Sequence, residues 1–152
     1  EDLLAAMVAM REDGLIAGVG ISTATLEQVT QAIEQAAVVT VQNAYSLLAR
    51  GDEDVLRLCS DHGISYVPYF PLGSAFPGMP KVVDDAVVQG IAQETDATPA
   101  QVGLAWLLAH DDSILLIPGT SSVSHLEQNL DVASVELTDS QLAKLDAIAP
   151  PT

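Results

Sequence analysis

Apolar residues open the chain at helical spacing, at Leu3, Leu4, Met7, Val8 and Met10, and Asp13 with Gly14 closes the run as a helix C-terminus would. Residues 16–21 form a short apolar run that ends at Ser22. Thr25 and Gln28 have capping-box spacing and predict a helix to about Ala37. Residues 38–42 are rich in β-branched side chains and predict a buried strand. Asp52, Glu53 and Asp54 load the first turn of the next helix, where the dipole favours acids, and His62-Gly63 ends it. A strand at 64–69 leads into a Gly/Pro-rich loop at 71–80, followed by a helix over 82–95. Thr98, Pro99 and Gln101 mark a strong helix start, and that helix runs to His110. A fourth strand is expected at 113–117, stopped by Pro118-Gly119. Helices at 122–133 and 138–149 close the pattern, the last opening with Thr138 and Gln141.

The order is one helix, then four strand–helix units. Alternation at this spacing predicts a parallel α/β sheet with right-handed crossovers, its strands apolar on both faces. Four such units fit an open doubly wound sheet or half of an eight-stranded barrel, a (β/α) half-barrel. No linker divides the chain, so residues 1–152 are expected to be a single, partial domain. The first helical pattern begins at once at Glu1, which suggests a piece of a longer product.

In both architectures chemistry sits at the C-terminal ends of the strands. The tips here are Ser22, then Gln42 to Tyr45, then the loop from Tyr69 through Leu72 and Ser74, then Pro118 to Ser122. The last is the most explicit. Gly119 permits close backbone approach, Thr120, Ser121 and Ser122 supply hydroxyls, and the following helix offers free N–H groups to an anion. The plain alternative is that Ser122 only caps that helix. Gln42 and Asn43 could bond a planar amide or satisfy loop backbone. Tyr69 could stack on a flat ring, with core packing the default for a lone tyrosine. His62 and His110 suit helix ends, whereas His125 could face a ligand beside the hydroxyl-rich tip. No nucleophilic triad, metal-ligand histidine spacing or glycine-rich phosphate motif is present.

Composition narrows the function classes. The chain carries 21 acidic against 5 basic residues, a formal net charge of -16. Such a surface repels phosphate backbones and anionic lipid, which argues against nucleic acid and membrane as partners. Mean hydropathy of +0.31 supports a folded core rather than disorder. With one cysteine, Cys59, there is no intrachain disulfide and no cysteine-based zinc site, and a cytoplasmic location is expected.

Taken together, GVGIS at 18–22, VQNAY at 41–45, VPYFPLG at 67–73 and IPGTSSVSHLEQN at 117–129 resemble the C-terminal half of an aldo-keto reductase, and Glu136, Leu137 and Thr138 fit as well. That resemblance implies strands five to eight of a TIM (β/α)₈ barrel that reduces small-molecule carbonyls with NADP(H), with NAD possible. It implies that Ser22 and Gln42 bond the nicotinamide carboxamide, that Tyr69 stacks on the ring, and that Leu72 and Ser74 strap the pyrophosphate. It further implies that Gly119, Thr120, Ser121 and Ser122 form the 2′-phosphate pocket, that Pro118 and His125 belong with them to the cofactor-binding set, and that Gln128 and Asn129 read adenine. The sequence departs from the family in having Thr23 after the first-tip serine, and Gly119 and His125 where Lys and Arg are common. The family's catalytic Asp, Tyr, Lys and His lie in the other half, so this chain is expected to contribute no catalytic residue and to be inactive alone. Its open edges then call for the missing N-terminal half-barrel or a second copy. Other expectations to weigh are a non-catalytic nucleotide-binding or dimerising half-barrel, and a flavodoxin-like open sheet, which lacks its usual Gly-rich first turn here.

Overall fold

A computed structural model describes residues 3–73 and 80–148. The elements are α1 (Leu3–Glu12), β1 (Gly20–Ser22), α2 (Leu26–Ala36), β2 (Thr40–Gln42), α3 (Glu53–Asp61), β3 (Ser65–Tyr66), α4 (Ala86–Thr95), α5 (Pro99–His110), α6 (Val123–Leu130) and α7 (Asp139–Asp146). Three capping boxes form as their spacing predicts, at Thr25–Gln28, Thr98–Gln101 and Thr138–Gln141. The predicted helix over 82–95 is divided. Val82–Asp84 is a 3₁₀ turn, and Asp85 caps α4 by accepting from the N–H groups of Val87 at 2.8 Å and Val88 at 3.2 Å. The helix expected over 122–133 likewise gives way to a 3₁₀ turn at Asp131–Ser134.

The sheet is parallel and open, in the order β1-β2-β3. Its strands are shorter than predicted, and local chemistry explains two limits. Ala37 takes a left-handed conformation at φ 46 to end α2, and the ladder opens two residues on at Val39, which donates to the Val19 carbonyl at 2.9 Å and accepts from the Ser65 N–H at 3.1 Å, just before the register pair Thr40 and Gly20. On the far side, Tyr66 accepts from the Leu115 N–H at 2.8 Å and donates to the Ser113 carbonyl at 2.9 Å. The next bond in that ladder needs an N–H at position 68, and Pro68 has none. The fourth strand expected at 113–117 is therefore reduced to the single bridge between Tyr66 and Ile114.

Ile21, Val41, Tyr66 and Ile114 lie in one register row. Val41, Tyr66 and Ile114 are buried with Val29, Leu56, Leu104 and Trp106 in the main core. The expectation of burial on both faces is not met. Helices cover one face, while Gly20 and Ser22 on β1, and Leu115 and Ile117 beyond the Ile114 bridge, are exposed, Leu115 by 52% and Ile117 by 40%.

Candidate cofactor site

Two of the strand tips converge. The loop after β3 (Tyr69, Phe70, Pro71, Leu72, Gly73) and the segment Ile117, Pro118, Gly119 and Thr120 face each other across a cavity of about 670 Å³. His125, Gln128 and Asn129 of α6 complete one wall, and Val83 with Thr98, Pro99 and Ala100 at the start of α5 completes another. Among the described residues, no Asp, Glu, Lys or Arg lines it.

Each wall has a local cause. Gly73, at φ 85, turns the loop back on itself, and an added Cβ there would collide with the Pro80 carbonyl. Val82 N–H donates to the Leu72 carbonyl at 3.1 Å, closing the base of that loop. Gly103 on α5 lets Leu72 and Val82 pack directly onto the helix. α6 is tied down by Gln101 Nε2, which donates to the Gln128 carbonyl at 3.1 Å, and by Asn129 Nδ2, which reaches the Pro118 carbonyl at 3.5 Å.

The structure sorts the sequence-predicted residues. Tyr69, Leu72, Pro118, Gly119, Thr120, His125, Gln128 and Asn129 share the cavity. Ser122 caps α6, its Oγ accepting from the His125 N–H at 3.4 Å, and it donates its own N–H to Thr120 Oγ1 at 3.1 Å. Ser121 is exposed and outside the lining. Ser74 lies outside the described residues. Ser22 and Gln42 pair in register on the open face, and Ser22 Oγ donates to the Gln42 carbonyl at 2.8 Å. They are joined to the cavity through hydroxyls: Ser22 Oγ is 3.4 Å from Thr23 Oγ1, which is 3.5 Å from the Tyr69 hydroxyl. Tyr69 is only half-buried and meets Phe70 edge-on at 5.1 Å, so the default of core packing does not hold. Asn43 is buried and spends its amide on the Ala24 backbone and on Asp52, leaving Gln42 as the amide-binding candidate of that pair.

Sequence reasoning missed the wall formed by Thr98, Pro99 and Ala100, where the helix-start signal masked the surface beside it. It also missed a polar cluster behind the sheet. Tyr45 donates to Glu53, and His110 Nε2 lies 3.0 Å from the Tyr45 oxygen and 3.1 Å from Glu53 Oε2. Burial pushes the Tyr45 phenol up, reinforced by Glu53. Burial alone would raise Glu53, but hydrogen bonds from Tyr45 and His110, with the charges of His110 and Arg57, hold its carboxyl below the usual range.

The sequence profile of the Aldo/keto reductase family matches residues 1–150. The chain belongs to that family. It is 40% identical to pyridoxine 4-dehydrogenase of Escherichia coli over 149 residues, which are 98% of this chain and 50% of the relative. An aldo-keto reductase from Klebsiella pneumoniae, solved in complex with NADPH, is 30% identical with a TM-score of 0.83, covering 98% of this chain and 54% of that one. A Giardia lamblia aldose reductase structure has a TM-score of 0.84 at 23% identity and shares the fold. The chain spans about half the length of these aldo-keto reductase relatives. Its open sheet is thus one half of the TIM barrel they share.

Proposed function

We propose that this chain is the cofactor-holding half of an NADP(H)-dependent aldo-keto reductase acting on small aldehydes or ketones. The observation that carries the reading is a cavity between the third and fourth tips that, among the described residues, no carboxylate lines, in a strongly acidic chain. A dinucleotide carries negative phosphates and flat rings, and the walls match both. Tyr69 offers a half-exposed ring face, and Leu72 with Gly73 offers a close strap. Pro118, Gly119, Thr120 and His125 offer donors beside the start of α6, and Gln128 with Asn129 offers amides for adenine. Ser122 supports this pocket as a cap, while Ser22 and Gln42 hold the carboxamide end. Ser74 continues the strap in sequence. When bound, NADPH supplies the hydride; these residues bind and orient it, and the proton donor comes from the half this chain does not match.

The reading makes the missing N-terminal half-barrel the natural cover for exposed Leu115 and Ile117. The same two residues favour one other arrangement, a second copy closing the open face of a non-catalytic module. Lone Cys59 suits the reducing cytoplasm. NADPH and NADH are titrated into the chain by calorimetry, with aldehyde reduction followed at the same time. Saturable NADPH binding without turnover, and turnover once an N-terminal half is supplied, support the reading. Binding that no N-terminal half converts to turnover favours the dimeric module, and absence of dinucleotide binding overturns both.

A further inference from the structure

We infer that Thr23 and Phe70 are a strained pair of positioning residues that hold the Tyr69 ring in place for a flat ligand ring. The inference rests on the dinucleotide reading above and adds to it the side chains that aim the ring.

Four non-glycine residues among those described take a positive φ: Thr23 at 55, Ala37 at 46, Phe70 at 57 and Asp96 at 54. Two of them have a routine cause. Ala37 ends α2 and Asp96 ends α4, and their N–H groups donate back into the last turn, to the Ile33 and Ala92 carbonyls. Thr23 and Phe70 end no helix. Both are poorly suited to the left-handed region, Thr23 because it is β-branched and Phe70 because it is bulky. Phe70 also precedes Pro71, which biases its neighbour to extended backbone. Neither side chain is buried, so core packing does not offset the strain.

What the two residues share is Tyr69, which they reach from different tips. Thr23 Oγ1 lies 3.5 Å from the Tyr69 hydroxyl, at the far end of the ring. Phe70 meets the same ring edge-on, with 5.1 Å between centroids and 86° between planes. The Tyr69 backbone is pinned separately. Its N–H donates to the Asn43 carbonyl at 2.9 Å, and its carbonyl accepts from the Tyr45 N–H at 3.3 Å. Backbone pairing thus fixes where the side chain starts, and Thr23 and Phe70 fix where it points.

The surroundings over-determine both conformations, as stored strain requires. Thr23 donates its N–H to the Gln42 carbonyl at 2.9 Å, and Asn43 holds both backbone groups of the next residue, Ala24. Phe70 follows the pinned Tyr69, and its carbonyl accepts from the Gly73 N–H at 2.8 Å. A half-buried loop tyrosine without such neighbours samples several rotamers. Holding it in one lowers the entropy cost of stacking on a ligand.

Relief of strain and loss of aim have opposite signs, which separates this role from ordinary structural support. Thr23→Gly and Phe70→Gly remove the side chain and accept the left-handed backbone. Each is expected to leave the thermal midpoint unchanged or to raise it by about 2–4 °C. The nicotinamide contribution is read by calorimetry as the Kd of 2′-phospho-ADP-ribose, which lacks the nicotinamide ring, divided by the Kd of NADPH. In each glycine variant that ratio is expected to fall at least about threefold, the size of one oriented aromatic contact, while the Kd of 2′-phospho-ADP-ribose stays within about twofold. Thr23→Ser keeps the hydroxyl and Phe70→Tyr keeps the ring edge, and both are expected to hold the ratio. A fall of less than about threefold in either glycine variant overturns the inference. So does a lowered midpoint with both ligands weakened equally, the mark of a purely structural role. A glycine variant that fails to fold contradicts the strain it is meant to relieve, and overturns the inference too. Equal affinity of the unaltered protein for the two ligands overturns only the aiming of Tyr69. Binding of neither overturns the dinucleotide reading, and this inference with it.

Discussion

Asn43 clasps the backbone of Ala24: its Oδ1 accepts the Ala24 N–H at 3.0 Å and its Nδ2 donates to the Ala24 carbonyl at 2.8 Å. The same amide nitrogen donates to Asp52 Oδ2 at 2.8 Å, and that oxygen also receives the Tyr66 hydroxyl at 2.7 Å. One buried side chain thereby locks the tip after β1 to the tip after β2 and to the start of α3. Ser22 and Thr23 directly precede the clasped residue, so the clasp positions the carboxamide end of the proposed site.

Asn43→Ala leaves the Ala24 backbone and Asp52 without these partners. The expected loss is about 2–3 kcal/mol, read as a lower urea midpoint. Asn43→Asp keeps the acceptor but sets a second carboxylate beside Asp52. It is expected to be at least as harmful at neutral pH and to recover in mild acid.

Two glycines in helices separate stability from binding. A Cβ at Gly103 would lie 2.7 Å from Val82 Cγ1 and 2.9 Å from Leu72 Cδ2. In Gly103→Ala, overpacking of about 1–3 kcal/mol opposes a helix-propensity gain of about 1 kcal/mol, and the displacement falls on the cavity wall. Weaker NADPH binding is expected, with a small net loss of stability. Gly90, in α4, faces open space, so Gly90→Ala is expected to raise the thermal midpoint and leave binding unchanged.

Glu53 gives the fold an acid-sensitive contact. Its native carboxyl is held below the ordinary value, so its stabilising contribution is present above that value, near 4.5, and is lost as pH falls through the lowered native one. Glu53→Gln is expected to cost about 1 kcal/mol at neutral pH and to flatten the acid limb of a stability–pH curve. An unchanged acid limb in that variant would contradict the assignment.

Cys59 is fully buried, and burial, with Asp52 and Asp111 adding to it, pushes its thiol up to about 11. The native protein is expected to resist thiol reagents at neutral pH and to react once unfolded. Fast labelling of the folded chain would show that the core around α3 opens readily.

What was legible in the sequence was mostly local. The capping boxes of Thr25, Thr98 and Thr138 act within one turn, so spacing alone fixes them. Gly14 and Gly63 end helices in the left-handed conformation that their positions imply. Strand lengths were less legible, because the ladder beyond Tyr66 depends on a proline opposite a segment nearly fifty positions away in the chain. The cavity residues could be named from their motif, but not the Thr98 to Ala100 wall, which becomes visible only when α5 packs beside the fourth tip. The Tyr45–Glu53–His110 cluster joins residues up to 65 positions apart, and no local pattern announces it.

The most direct test is amide hydrogen exchange of the protein with and without saturating NADPH. The account expects slowed exchange in residues 69–73 and 118–129, with residues 53–61 in α3 unchanged. Protection confined to other segments, or no protection anywhere under conditions where the protein is folded, would contradict the claim that this cleft holds the dinucleotide.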